Sequence, residues 1–243
     1  MKRVFSFCLM SLFLLSLITS PGLGQKASDI LEKMIEAQGG RKVLEGIKDT
    51  TMSGTFEMPM MGISGTTTMY QKDPNKTRMD AEFMGMVYTE AFDGETGWMI
   101  NPETGGVEPR SEKALEYAKR EALGDEALLH PEKCGITYAY KGKETIEGKG
   151  YFILEATYSD GYKVAVYVDS KTYLTHKIKG LSLDMMEVEV DTETVLSDYK
   201  KVDGTMIPHT IVIIQNGEVF MTITLTEVSF NTGLEDSLFK MNE

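Results

Sequence analysis

The clearest hydrophobic pattern in the chain is a strict alternation within Val195–Phe230. After Asn216-Gly217, apolar residues at every second position alternate with threonines: Val219, Met221, Ile223 and Leu225 against Thr222, Thr224 and Thr226. A period of two places one kind of side chain on each face of a β-strand. Asn-Gly is a strong signal for a two-residue hairpin turn. The pattern predicts a hairpin with one apolar face, in which Ile214 faces Val219, Val212 faces Met221 and Thr210 faces Ile223.

Short β-rich runs separated by Gly, Pro, Asn and Asp occupy most of the chain from residue 50 onward. We count about eleven antiparallel strands at regular spacing, which is typical of a barrel or a sandwich. Two helices are predicted as well. The first is capped by Ser28 or Asp29, and the second is capped by Ser111 and runs to residue 129 with a break at Gly124. Their apolar stripes are Ile30, Leu31, Met34 and Ile35 in the first helix, and Ala114, Leu115, Ala118 and Ala122 in the second. The fold class is therefore mainly β with helices.

The first residues have the pattern of an export signal. Lys2 and Arg3 precede an apolar run over Val4–Ile18, and Pro21 is followed by small residues before Gln25. The apolar run is short for a membrane anchor, which is the alternative interpretation. We therefore predict a cleaved signal peptide at residues 1–24, a single domain at 25–243, and a periplasmic location.

Charge and cysteine content exclude several classes of partner and linkage. Without Lys2 and Arg3, the chain has 23 basic residues against 37 acidic ones, a net charge of −14. Such a surplus argues against nucleic acid and anionic lipid as partners. Cys8 lies in the predicted signal, so Cys134 is the single cysteine that remains and no intramolecular disulfide is expected.

Signals for catalysis or metal binding are weak. The three histidines lie far apart in sequence, and no nucleophile motif occurs. The glycine-rich run at 142–150 lacks the spacing of a phosphate-binding loop. Acidic residues at 187, 189, 191 and 193 offer oxygen ligands for calcium, but we interpret them as the solvated face of a strand. We expect no catalytic residue, no cofactor and no metal.

Methionine is the unusual residue of this chain, since nine of the 17 methionines lie between Met52 and Met99. Met60 and Met61 occupy one predicted hairpin tip, and Met84 and Met86 flank the next at Gly85. Flexible, polarizable methionines suit surfaces that bind varied apolar ligands. Three interpretations remain: a soft rim around an apolar cavity, ordinary core packing, or thioether binding of Cu(I). Trp98 is open to the same choice between core and cavity.

Several short segments resemble the LolA family of outer-membrane lipoprotein-sorting proteins. They are Gln71-Lys72-Asp73-Pro74-Asn75, the run from Asp93 to Pro102, Tyr167 to Leu174, Ser197-Asp198-Tyr199-Lys200, Gly204, and Ile207-Pro208. The resemblance covers most of the chain after the predicted signal. It implies an antiparallel, incompletely closed β-barrel with a helical lid over an apolar cavity.

The resemblance also implies a function, a periplasmic carrier that binds lipid or lipoprotein acyl chains. The implied partners are an inner-membrane lipoprotein-release transporter and an outer-membrane acceptor, and we expect a monomer. Combined with the sequence pattern, it assigns Met60, Met61, Met84, Met86, Trp98, Val212, Ile214, Met221 and Ile223 to the cavity and its rim. The same reasoning assigns Ile30, Met34, Leu115, Ala118 and Ala122 to the lid.

One position departs from the family pattern. Carriers of this family have an arginine just before the Pro-Asn of the turn, where it is linked to holding the lid, and this chain has Asp73. An aspartate cannot donate the hydrogen bonds of a guanidinium, so a latch of that kind is not expected. Arg78 is a candidate substitute. The alternative functions are an envelope sensor of lipid or lipoprotein with the same half-barrel, and a methionine-rich periplasmic copper protein.

Overall fold

The computed structural model describes residues 26–101 and 104–241, so the predicted signal peptide lies outside the described residues. The described chain forms one antiparallel sheet of thirteen strands with four short helices. No helix within these ranges is long and apolar enough to cross a membrane.

The thirteen strands follow one another with short turns. They are β1 (Asp49–Met58), β2 (Ile63–Lys72), β3 (Lys76–Phe83), β4 (Met86–Phe92), β5 (Gly97–Ile100), β6 (Val107–Pro109), β7 (Ile136–Ile146), β8 (Lys149–Tyr158), β9 (Lys163–Asp169), β10 (Thr175–Leu183), β11 (Glu189–Val202), β12 (Thr205–Gln215) and β13 (Glu218–Phe230). Sequence patterns indicated about eleven strands. The three-residue β6 was missed because so short a run gives no measurable alternation.

The helices are α1 (Ala27–Gln38), α2 (Arg41–Leu44), α3 (Glu112–Glu121) and α4 (Glu126–Leu129). Ser111 caps α3 as predicted, since its Oγ accepts a hydrogen bond of 3.1 Å from the Ala114 amide. The break at Gly124 is also confirmed, and this glycine has a positive φ of 48°. The predicted cap of α1 is wrong, because Ser28 and Asp29 lie inside its first turn.

The sheet is a meander whose first and last strands meet in the middle. Its order is β6-β5-β4-β3-β2-β1-β13-β12-β11-β10-β9-β8-β7. Strand β1 pairs with β13 from Thr50 opposite Phe230 to Glu57 opposite Thr222. Strands β6 and β7 are left at the two edges, so the barrel is not closed.

The contacts of α3 show that the sheet is strongly curved. This helix contacts β4 and β5 near one edge and also β10, which lies seven strands from β4. In a flat sheet seven strand spacings cover about 34 Å. A helix of ten residues is only about 15 Å long. The sheet must therefore curl around α3, and this is the incomplete barrel that the family resemblance implies.

One face of the curved sheet, which we call the inner face, carries the helices. Directly paired residues on neighbouring strands share a face, and one such row crosses six strands: Leu154, Val166, Ile178, Thr194, Ile213 and Met221. At one end of this row α1 packs through Ile30, Leu31 and Met34 against a buried group on β8 and β9. The opposite, outer face is largely polar and is rich in threonine.

The hairpin of β12 and β13 has a different register from the predicted one. Ile214 does face Val219, but Met221 faces Ile213 and Ile223 faces Ile211. The difference comes from a β-bulge next to Ile214, where β13 contains one extra residue. A bulge changes which side chains are opposite one another without disturbing the alternation on either side, so the sequence pattern gave no sign of it.

Candidate ligand-binding face

The middle of the inner face carries a continuous group of apolar side chains that we call the central apolar cluster. Its buried members are Phe56, Met58, Ala81, Ile223 and Leu225. Its half-buried members are Met52, Ile63, Met69, Phe83, Tyr88, Ile207, Ile211, Phe220, Met221 and Val228. All of them come from strands β1 to β4, β12 and β13.

No helix residue belongs to the central apolar cluster within the described part of the chain. The two other apolar groups differ in this respect. One includes α1, and the other joins Ile35 of α1 to Leu44 and Leu129. The inner face is therefore covered by helices on one side and left with half-exposed apolar side chains in its middle. An apolar surface that the protein does not cover itself is a candidate for binding an apolar ligand.

Helix α3 is held across the inner face by polar contacts with the far side of the sheet. Arg120 donates two hydrogen bonds of 2.9 and 2.6 Å to Asp160, in the turn before β9. The guanidinium also lies 4.9 Å from the ring centre of Tyr117 and 4.3 Å from that of Tyr162. Tyr117 in turn donates to Glu189 at 3.1 Å. These contacts fix the position at which α3 crosses the inner face of the sheet.

A polar group borders the central apolar cluster on the β4 side. The Tyr88 hydroxyl donates a 2.8 Å hydrogen bond to Glu90, and Arg110 forms an ion pair with the same carboxylate oxygen. Burial and the adjacent Glu90 raise the pKa of Tyr88, so its hydroxyl keeps its proton. The Nε of Arg110 is buried without a hydrogen-bond partner, 3.9 Å from Glu187. This polar group is a second feature of the inner face that sequence reasoning missed.

Glu121, at the end of α3, faces the same polar group. Its side chain is exposed to solvent. The protein atoms near it and the Glu90 carboxylate raise the pKa of Glu121 to about 7, although Arg110 acts in the opposite direction. Its neighbour Ala122 is buried, so this end of the helix is directed inward.

The structure separates the predicted wall residues into two groups. Met221 and Ile223 belong to the central apolar cluster, as expected of a cavity wall. Val212 and Ile214 do not, because they alternate with Ile211 and Ile213 along β12 and so lie on the outer face. Their assignment followed from the predicted register, and the bulge in β13 overturns it.

Trp98 also lies on the outer face. It is directly paired with Ala91, which pairs with Arg78, and its side chain is only 4% exposed. Its Nε1 donates a 2.8 Å hydrogen bond to the carbonyl of Phe239, in the C-terminal segment that covers this part of the sheet. Of the two interpretations, core packing is therefore correct and a cavity wall is wrong.

The four predicted rim methionines are exposed, at 66% for Met60 and 79% for Met84, with Met61 and Met86 less so. Met60 and Met61 lie in the β1–β2 connection, Met84 lies in the β3–β4 connection and Met86 begins β4, so all four are at the same end of the strands. The same end carries Met185 and Met186 in the β10–β11 connection, 68% and 82% exposed. Sequence reasoning missed this pair because it followed the density of methionine between residues 52 and 99.

The predicted lid residues lie on two different helices. Ile30 and Met34 pack on Phe152, Leu154, Val166 and Val168 of β8 and β9. In α3, Leu115 lies beside Gly97 at the start of β5, and Ala118 is half-buried. Ala122, just after α3, is buried. The two helices therefore cover opposite sides of the inner face.

Asp73, which stands where the family has an arginine, makes a different contact. Asp73 forms an exposed ion pair of 3.1 Å with Lys48. It also lies near the start of α4, where burial and the Asp73 charge raise the pKa of Asp125. Arg78 does not replace it, because its guanidinium holds Asp80 and the carbonyl of Leu238 on the outer face. The link between helices comes from Arg41, which donates a 2.9 Å hydrogen bond to the carbonyl of Leu129.

Comparison with solved structures agrees with this architecture. A LolA superfamily protein from Nitrosomonas europaea is similar with a TM-score of 0.59 and 18% identity, over 89% of this chain and 98% of that one. The chain has a LolA-like fold. A DUF1329 family protein from Desulfovibrio piger gives a TM-score of 0.60 at 15% identity, over 88% and 96% of the two chains. A putative outer membrane lipoprotein-sorting protein domain from Vibrio parahaemolyticus gives 0.57 at 15%, over 87% and 94%.

No protein-family model and no curated protein matches the sequence. At 15 to 18% identity the structural likeness establishes the fold alone. Function has to be argued from the residues of the inner face.

Proposed function

We propose that this LolA-like protein is a periplasmic carrier that binds the acyl chains of lipids or lipoproteins on its inner face. The observation that carries the proposal is the central apolar cluster, a partly exposed apolar surface inside an open half-barrel to which no described helix contributes a residue. The names of two similar structures, a LolA superfamily protein and a lipoprotein-sorting domain, support the same direction.

The energetics of acyl chains explain why such a surface is needed. Each CH₂ group exposed to water costs about 0.8 kcal/mol, so a chain of about sixteen carbons costs on the order of 12 kcal/mol. A chain that crosses an aqueous compartment must therefore be shielded. The central apolar cluster offers a surface of methionine, aromatic and branched side chains that can adapt to a flexible ligand.

The route of the cargo follows from the same proposal. Removal of residues 1–24 would release the domain at 25–243 into the periplasm as a monomer. An inner-membrane lipoprotein-release transporter would supply the cargo, and an outer-membrane acceptor would receive it. The exposed methionines at one end of the strands, Met60, Met61, Met84 and Met86, would make the first contacts with the chain as it enters between α3 and the sheet.

Met221→Glu is the sharpest test of the proposed surface. Met221 is half-buried in the central apolar cluster, and a carboxylate there would have to be desolvated by any chain that binds. We expect the affinity for a fluorescent monoacylglycerol to fall about tenfold or more. The measurement is a fluorescence titration, accompanied by circular dichroism to show that the variant is folded.

Thr224→Glu is the matched control. Thr224 lies on the same strand, is exposed, and alternates with Ile223 and Leu225, so its side chain points to the outer face. This variant should bind the probe like the wild type. Equal binding by both folded variants would contradict the proposal. Native mass spectrometry of residues 25–243, purified from the periplasm without detergent, should in addition show an adduct of lipid mass.

A further inference from the structure

The exposed methionines are concentrated at one end of the strands. Seven methionines of the described chain are exposed, and all of these except Met241 lie at this end. We call the six together the methionine rim: Met60, Met61, Met84, Met86, Met185 and Met186. They come from three hairpins that are far apart in the sequence. The fold therefore collects six thioether groups at the end where we propose that the acyl chain enters.

The curl of the sheet brings the third of these hairpins to the same opening as the other two. In the strand order β10 lies seven strands from β4. Glu187, in the β10–β11 connection, is nevertheless 3.9 Å from the Nε of Arg110, and Arg110 forms an ion pair with Glu90 on β4. The methionines of the β10–β11 and β3–β4 hairpins therefore border one opening from opposite sides.

The β10–β11 connection holds its two methionines in solvent. The Asp184 carboxylate accepts hydrogen bonds of 2.8 and 2.9 Å from the amides of Met186 and Val188, and the Asp184 amide donates to the carbonyl of Val188 at 2.9 Å. These bonds define the shape of the backbone, while Met185 and Met186 remain exposed. Their access to solvent is therefore a property of the folded connection.

The remaining methionines are less accessible. Met34 and Met58 are buried, and the other methionines on the strands, such as Met221, are half-buried. A thioether is oxidised by contact with an oxidant dissolved in water, so the rate of oxidation follows exposure. Among the methionines, a small amount of oxidant should therefore react first with the methionine rim.

We propose that the methionine rim is a site of reversible oxidation by hypochlorous acid, and that this oxidation slows the entry of acyl chains. The inference rests on the proposed function and adds a form of regulation to it. In each event the O–Cl bond of the oxidant breaks and an S–O bond forms. The sulfur loses two electrons, and chlorine leaves as chloride together with a proton. A methionine sulfoxide reductase reverses the step, with two electrons from a pair of thiols and loss of the oxygen as water.

The polarity of the product explains the effect on entry. Oxidation converts a flexible apolar side chain into a polar one. The sulfoxide oxygen is hydrated, and an acyl chain that slides past it must remove this water without replacing its hydrogen bonds. The first contact of the chain with the protein therefore becomes unfavourable, although the central apolar cluster is unchanged.

The first measurement maps the oxidised residues. Increasing amounts of hypochlorous acid are added to the Cys134→Ser protein, because the thiol of Cys134 would also consume oxidant. Peptide mass spectrometry then follows the gain of one oxygen at each methionine. Met84 and Met186 should react at lower doses than Met34 and Met58. Circular dichroism shows that the protein stays folded at each dose.

The second measurement is the association rate of the fluorescent monoacylglycerol, recorded by stopped-flow fluorescence. It uses the dose at which the methionine rim has reacted and the half-buried methionines have not. We expect this rate to fall about fivefold or more, the size expected when polar groups must be desolvated. Treatment with the reductases for both sulfoxide epimers and dithiothreitol should restore the rate.

Two variants separate the methionine rim from other effects of the oxidant, and each is compared with its own untreated form. In the first, leucine replaces all six rim methionines, since leucine is apolar and similar in volume but forms no sulfoxide. The oxidant should leave the association rate of this variant unchanged. Met241→Leu is the matched control, because Met241 is also exposed but lies in the C-terminal segment. It should remain as sensitive as the parent protein.

The results distinguish the two proposals. The oxidation site is wrong if the buried methionines react as readily as the methionine rim in the folded protein. The regulation is wrong if the oxidised protein binds the probe at an unchanged rate, if the reductases do not restore the rate, or if the leucine variant is slowed as much as its parent. In each of these cases the carrier proposal stands. If the untreated protein does not bind the probe at all, the carrier proposal itself fails.

Discussion

At the scale of single residues, alternation shows which residues of one strand share a face, but only the structure shows which residues of the neighbouring strand lie on that face with them. The sequence pattern shows that Met221 and Ile223 share a face, and the structure agrees. It cannot show which residues of the partner strand join them, because one extra residue in β13 moves Ile211 and Ile213 into the places predicted for Thr210 and Val212. The polar group of Tyr88, Glu90 and Arg110 gave no signal at all, since its ion pair joins β4 to the segment before α3.

Trp98→Phe tests the outer-face assignment of the tryptophan. The variant keeps an aromatic ring but loses the hydrogen bond from Nε1 to the carbonyl of Phe239, which is buried. We expect the free energy of unfolding to fall by about 1 kcal/mol, as for one buried hydrogen bond. Binding of the fluorescent monoacylglycerol should not change. Urea unfolding measures the free energy of unfolding. A lower affinity for the probe in the folded variant would indicate that Trp98 belongs to the cavity wall after all.

At the scale of elements, the sequence predicts which residues form the helices but not which part of the sheet each helix covers. The cap at Ser111 and the break at Gly124 could be read from local sequence, because they depend on neighbouring residues. The contacts that hold α3 in place join residues far apart, Arg120 with Asp160 and Tyr117 with Glu189. No local sequence pattern predicts such pairs, so the position of α3 across the inner face is known only from the structure.

Arg120→Ala should loosen α3 without unfolding the sheet. Arg120 is largely buried between two tyrosine rings, and its loss removes both hydrogen bonds to Asp160. We expect faster amide exchange along Glu112–Glu121 and faster release of the bound probe. Lys119→Ala is the control, since Lys119 is exposed and pairs only with Glu116 on its own helix. Equal exchange in the two variants would show that the contacts of Arg120 with Asp160 do not hold α3 in place.

Acid should loosen α3 in the same way as the Arg120→Ala substitution. The backbone amide of Tyr162 and the side chain of Arg120 hold the pKa of Asp160 below its usual value. A carboxyl with a lowered pKa contributes stability above the unfolded pKa, and that contribution is lost as the pH falls through the folded value. The exchange protection of α3 in the wild type should therefore persist from neutral pH down to about pH 4 and then decrease. In Arg120→Ala the decrease should start from a lower level and be smaller.

At the scale of the whole molecule, one seam joins the two halves of the chain. Strands β1–β6 and β7–β13 are each a meander of neighbours, and the sequence predicts such hairpins well. Nothing in the pattern showed that the first strand pairs with the last. This pairing of β1 with β13 makes one sheet out of the two halves, and it places Phe56 beside Ile223 in the middle of the inner face. The central apolar cluster therefore exists only when the seam has formed.

Gly54→Ala tests the seam, because Gly54 lies at the irregularity in the β1–β13 pairing. An added Cβ would overlap the carbonyl oxygen of Thr224 and lie 2.9 Å from the Cα of Leu225, both backbone atoms that cannot turn aside. The strands would have to separate, so we expect a loss of stability of about 2 kcal/mol or more. Trp98 fluorescence reports on the first half, and the near-ultraviolet signal of the tyrosines near α1 reports on the second. Both should shift together in urea, and binding of the probe should weaken. Ser53→Ala is the control, because it changes the adjacent residue without adding an atom to the seam. It should leave both urea transitions and the binding of the probe near the wild-type values. A shift of the Trp98 signal alone in Gly54→Ala would mean that the two halves fold independently.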